Sequence, residues 1–140
     1  MKQEDKDLLL KELSARYPYG VKILEGGVII ETLQKIEKVS ETLYIINGYD
    51  ESIGGGFDIS QVKLYLRPMS SMTEEEEREF EETLQYTQYT LESYDWLNAH
   101  HFDYRGLIPM GLALVAPKNM YTHFGDMKTV VSEITHKDRF

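Results

Sequence analysis

Cysteine is absent from the 140 residues, and with it go disulfides, thiolate nucleophiles and every cysteine-based zinc or iron–sulfur site. Long apolar runs are absent too. None approaches the roughly 20 residues that a membrane span needs, so no membrane partner is expected. The opening Met-Lys-Gln-Glu-Asp-Lys-Asp leads into only three leucines, unlike the form of a secretory signal, and a cytoplasmic location is the expectation. Phosphate-binding motifs are also lacking. Ser52-Ile53-Gly54-Gly55-Gly56 has neither the Gly-x-x-x-x-Gly-Lys-Ser/Thr nor the Gly-x-Gly-x-x-Gly spacing, and reads as a loop or bulge before a strand at Phe57 to Ile59.

Basic residues are scarce relative to acidic ones, 15 against 24, for a net charge of −9. The imbalance is local: between Thr73 and Asp95 nine acidic side chains face only Arg78, a net −8, which leaves the remainder of the chain at −1. Nucleic-acid affinity depends on Lys and Arg displacing counterions from phosphates, so no direct nucleic-acid partner is expected. A hydrophobic content of 41% beside 28% charged residues excludes wholesale disorder. Residues 1–121 are read as a single α+β domain and 122–140 as a C-terminal extension.

Glu4 to Tyr17 reads as a helix, with acids early, Lys11 and Arg16 late, Leu9 and Leu13 on one face, and Pro18 and Gly20 ending it. Val21 to Leu24 and Val28 to Ile30 flank Gly26-Gly27 and predict an antiparallel hairpin. Glu31 to Ser40 fits a strand or a helix by periodicity, with the strand favoured. Thr42 to Ile46 reads as another strand, closed by the turn dipeptide Asn47-Gly48. Gln61 to Leu66 fits a short helical turn or an edge strand before Pro68. Gly111 to Ala116 is apolar enough for a last core strand, and Thr129 to Ile134 could pair at an edge or stay loose. The expected architecture is an N-terminal helix, a small antiparallel sheet of three to five strands, and two C-terminal helices packed on it.

The first of those two helices is announced by Thr73-x-x-Glu76, a capping box whose glutamates also suit the positive end of the helix dipole. Met72, Phe80 and Leu84 give it an apolar edge. Its acidic face reads as solvated, or as an imitation of a nucleic-acid backbone aimed at a basic protein. Tyrosine and threonine lower helix propensity over Gln85 to Thr90, so a break is expected before a second helix from Leu91 to His101. Helical spacing turns Leu91, Tyr94, Leu97 or Asn98, and His101 toward the core, with Trp96 and His100 on a neighbouring stripe.

Asp95 to Ile108 holds the only tryptophan, two histidines and an Asp-Tyr-Arg-Gly corner, and supplies the candidate binding residues Trp96, His100, His101, Asp103, Tyr104 and Arg105. Trp, Tyr and Arg are the types enriched in interface hot spots, and a lone tryptophan also serves a small core. Adjacent helical residues point about 100° apart, so His100 and His101 cannot chelate one ion together without recruiting Asp103, His123 or a remote carboxylate. No metal and no cofactor is expected. His101 with Asp103 could act as base and orienter, but no serine or cysteine nucleophile is placed beside them.

Tyr65 to Glu76 and Asp95 to Ile108 resemble the shared blocks of a family of small uncharacterised proteins from gut Bacteroidetes and their phages. The similarity runs from about Lys6 to Tyr121. The family brings no activity and no site residues, and implies a phage or mobile-element association. Three functions stand as expectations. The first is a non-enzymatic accessory or regulatory domain binding another protein. The others are a small hydrolase or transferase using His101, Asp103 and Arg105, and an acidic nucleic-acid mimic.

Overall fold

A computed structural model describes residues 1–48 and 56–121. Helix α1 (Gln3–Arg16) carries Glu4 and Asp5 in its first turn and Arg16 in its last, as the dipole favours. A 3₁₀ turn over Tyr17–Tyr19 follows, closed by Gly20 in the left-handed region at φ 70°. Leu9 and Leu13 are fully buried, and so are Glu12 and Arg16 between and beyond them.

The predicted hairpin forms. Strands β1 (Lys22–Glu25) and β2 (Ile29–Thr32) pair antiparallel with Leu24 opposite Ile30. Gly26 stands at φ 60° against the Phe57 ring, where a Cβ would come within 2.7 Å of the ring, so only glycine fits. Strands β3 (Lys35–Lys38), β4 (Tyr44–Asn47) and β5 (Phe57–Asp58) make a three-stranded antiparallel sheet in that order. The favoured reading of Glu31 to Ser40 as strand is realised in the end of β2 and in β3.

Strand β6 (Val62–Leu66) is neither a helical turn nor an edge strand. It lies inside a four-stranded sheet of order β2-β1-β6-β7, with β7 (Ala113–Val115) at the rim. Alternation explains the place: Val62, Leu64 and Leu66 point inward with Ile23, while Lys63 points out. Every named pairing is antiparallel except that of β6 with β7, which is parallel. The main core lies between α1 and the sheets, built around Leu9, Leu13, Ile23, Ile46, Leu64 and Leu66.

Helices α2 (Glu74–Glu81) and α3 (Leu91–Ala99) enclose a second, smaller core of Phe80, Leu97 and Phe102, flanked by Trp96 and Tyr104. The Thr73 box is formed: the Glu76 amide donates to Thr73 Oγ1 at 3.1 Å, and the Thr73 amide to Glu76 Oε1 at 3.0 Å. A matching box starts α3, where the Ser93 amide donates to Thr90 Oγ1 and the Thr90 amide to Ser93 Oγ. Phe102 N–H reaches Leu97 O at 3.0 Å and His101 N–H reaches Asn98 O at 3.1 Å, closing α3 with a Schellman motif. The left-handed position that this motif usually gives to glycine is filled by His101 at φ 64°. The expectations for Ser52 to Gly55, His123 and Thr129 to Ile134 lie outside the described residues.

Candidate functional site

The corner after α3 is built from hydrogen bonds of its own. The Arg67 amide donates to His101 O at 2.7 Å and the Asp103 amide to Arg67 O at 2.8 Å, which pins the corner to the end of β6. Both carboxylate oxygens of Asp103 accept backbone N–H groups, from Leu107 at 2.8 Å and Ile108 at 2.9 Å, so Asp103 shapes the following turn. Arg67 is bidentate to Glu76 at 2.9 and 2.8 Å and lies 4.2 Å over the Phe102 ring. Burial opposes the charged form of Glu76, but Arg67 and the Thr73 amide outweigh it and hold its pKa below the usual range.

Trp96 is half-buried and stacks on His100 at 3.8 Å, with Phe102 at 5.8 Å on a nearly parallel plane. The His100 ring is buried, its Nδ1 2.9 Å from Trp96 O and its Nε2 4.0 Å from Glu79. His101 is 2% exposed and stacks on Tyr121 at 3.8 Å. Burial, then the charges of Arg16, His100 and Arg67, push its pKa down to about 3, so the ring stays neutral. Tyr121 clamps two strands: its hydroxyl accepts from the Lys22 amide at 2.8 Å and donates to Tyr65 O at 2.9 Å. Burial moves the Tyr121 hydroxyl above its ordinary pKa.

Tyr104 donates to Asn98 Oδ1 at 3.0 Å, and two guanidinium groups lie over its ring, Arg16 at 5.4 Å and Arg105 at 5.3 Å from its centroid. Both arginines pair with Glu12: Arg16 Nε at 2.9 Å, and Arg105 Nε in direct contact with the second carboxylate oxygen. Arg16 Nη2 also donates to Phe102 O at 2.6 Å. This Arg-Glu-Arg set fastens α1 to the corner.

The six candidate residues therefore do not converge on one open cleft. His101 and Asp103 are both buried, and Asp103 spends its carboxylate on two amides, so the base-and-orienter geometry that catalysis would need is not assembled. No group of three or more His, Asp or Glu side chains could hold a metal ion among the described residues. An open groove of about 380 Å³ crosses the outer face of the four-stranded sheet between Leu24, Gln61 and Leu114, with Lys63 as its one ionisable lining residue. On the inner side of that sheet Glu25 is buried beside Glu31. Burial, a hydrogen bond that protonated Glu25 donates to Glu31, and the charge of Glu31 raise its pKa to about 7, against a lowering backbone hydrogen bond from Gly48.

The outer face of α3 differs from the expectation. Leu91 and Tyr94, expected in the core, are 77% and 42% exposed. Leu97, Asn98 and His101 are buried as expected, but Ser93 takes the interior in place of Leu91 and Tyr94, its hydroxyl engaged with Thr83 and Thr90 at the α2 end. Gln85 and Gln88 exchange two backbone hydrogen bonds of 3.0 Å, leaving Tyr86 and Thr87 at the tip of a tight turn. Tyr86 stands there at φ 64° with its side chain 94% exposed. A bulky residue at positive φ is an outlier with a cost, and this one recovers nothing by packing.

An aromatic ribbon links α2 to the corner: Phe80 to Tyr89 at 5.2 Å, Tyr89 to Tyr94 at 5.3 Å, Tyr94 to Tyr104 at 5.4 Å. Glu81, Glu82, Glu92 and Asp95 are exposed on the same stretch of chain. The signal was visible in the sequence as Gln-Tyr-Thr written twice in succession from Gln85 to Thr90. The chain matches no family model, no curated protein and no solved structure. Among the described residues no helix is long and apolar enough to cross a membrane.

Proposed function

We propose that this chain is a non-enzymatic accessory or regulatory domain of the cytosol that binds another protein, and that its binding face is the Tyr86 tip with Tyr89, Leu91 and Tyr94. The observation that carries this reading is Tyr86, a tyrosine held at strained φ with its ring almost wholly in solvent. Selection for stability alone would place glycine there. Tyrosine offers a large, stiff, amphipathic contact at low entropic cost, and it is enriched where partners bury energy. Tyr89, Leu91 and Tyr94 widen the face beyond a single side chain. The six residues first singled out, Trp96, His100, His101, Asp103, Tyr104 and Arg105, support this face from behind. Tyr104 carries Tyr94, and the corner carries α3.

We further propose, on the sequence resemblance of residues 65–76 and 95–108 alone, that the role belongs to a phage or other mobile element. Affinity capture from the native cytosol tests the proposal, comparing wild type with Y86A and with Y86A/Y94A. A partner held by wild type and lost from both variants is the expected result. A partner held equally by all three moves the interface elsewhere and refutes it.

A further inference from the structure

Resting on the protein-binding reading above, we infer that the segment taken by the tyrosine face is an arginine-bearing stretch of the partner, its guanidinium groups lying on Tyr86, Tyr89 and Tyr94 between the flanking carboxylates.

The aromatic ribbon shows what it binds at its inner end. There Arg16 and Arg105 lie over Tyr104, each also meeting the carboxylate of Glu12. Arg67 repeats the combination on the neighbouring Phe102 ring, with Glu76 as its carboxylate. Three times, then, this small region seats a planar cation on a ring and ties it to an acid. Rings and acids recur on the exposed side of the same stretch of chain: Tyr89 and Tyr94 meet ring to ring with both exposed, Tyr86 stands exposed at the turn, and Glu81, Glu82, Glu92 and Asp95 of the two flanking helical segments are exposed as well. Cations are scarce in this stretch, where Arg78 is the only basic residue between Thr73 and Asp95 against nine acids.

Charge sets the sign of the occupant. A local net charge of −8 steers a basic segment inward and repels an acidic one. Ring geometry then selects arginine over lysine. The guanidinium is flat, weakly hydrated and able to stack while its N–H groups donate in plane to a carboxylate, whereas an ammonium is a compact, strongly hydrated point charge. The face is open and half-wet, so the interaction is modest, screened by salt, and dependent on several side chains of the partner acting together.

The test uses the full ¹⁵N-labelled chain and two short synthetic peptides of equal length and charge, one rich in arginine and one in lysine. The arginine peptide is expected to bind about fivefold tighter, the ratio that one exposed guanidinium–ring contact provides. Amide shifts should centre on residues 85–95. Y86A should lower the preference, Y86A/Y94A should lower it further, and Y86A/Y89A/Y94A should equalise the two peptides while leaving their salt dependence in place. E92Q should weaken both. Equal affinity of the two peptides for wild type overturns the inference, as do shifts centred on Glu74, Glu75 and Glu77, which would mark simple attraction to the acidic turn. Should Y86A abolish cellular capture while wild type shows no arginine preference, the protein-binding reading stands and the arginine inference alone falls.

Discussion

Replacing Tyr86 by glycine is expected to stabilise the fold while weakening partner capture. A non-glycine residue in the left-handed region costs about 1–2 kcal/mol. Glycine removes that cost but loses about 0.4–1 kcal/mol through the greater freedom of the unfolded chain. The ring is 94% exposed, so truncating it forfeits almost no buried area. The net gain is about 0.5–1 kcal/mol, or roughly 2–5 °C in Tm for a chain of this size. Urea denaturation followed by the fluorescence of Trp96 reads it directly, because the lone tryptophan sits half-buried in the α2–α3 core next to the turn. Y86A keeps the strained φ and is the control, expected close to wild type. If Y86G is no more stable than Y86A, the turn is not strained and the argument from Tyr86 to function fails.

Glu12→Gln removes the countercharge of two arginines, one fully buried, and should cost about 3 kcal/mol in urea denaturation; the double variant E12L/R16M should recover most of that loss. His101 has a folded pKa of about 3, below its ordinary 6.5, so the unfolded chain takes the proton first. Its contribution is complete above pH 6.5 and is lost as pH falls toward 3, with a slope of up to about 1.4 kcal/mol per pH unit. H101N, whose asparagine tolerates positive φ, should flatten that limb, and an unchanged wild-type-minus-variant difference across this range would contradict the burial argument. Glu25 runs the other way: raised from 4.5 to about 7, it stabilises fully below pH 4.5 and loses its contribution as pH rises through 7, so E25Q should be the less pH-sensitive protein on that side.

The elements most legible in the sequence were those with a local cause. Thr73-x-x-Glu76 announced α2, Gly26-Gly27 announced the first hairpin, and Pro18 with Gly20 ended α1. The corner at Asp103 to Gly106 was legible as a corner, since its residues bond mostly to nearby backbone. What depended on distant partners was not. Glu12 and Arg16 look like an ordinary surface pair at i, i+4, and only the return of Arg105 and Phe102 O explains their burial. For α3, the spacing of Leu91, Tyr94 and Leu97 fits an inward face. Helical periodicity cannot register that Ser93, bonded to Thr83 and Thr90, would claim the interior in place of Leu91 and Tyr94. Tyrosine and threonine over Gln85 to Thr90 lower helix propensity, which predicts a break but does not show that Tyr86, the most exposed tyrosine among the described residues, stands at its tip.

Photo-crosslinking in the native cytosol from a reactive residue at position 86, with the exposed position 39 just past the end of β3 as a control, asks most directly whether the tyrosine tip meets another protein. One discrete adduct from 86, none from 39, and its loss on adding Y94A is the result expected. Adducts of the same mass and yield from both positions, or none from 86, would contradict it.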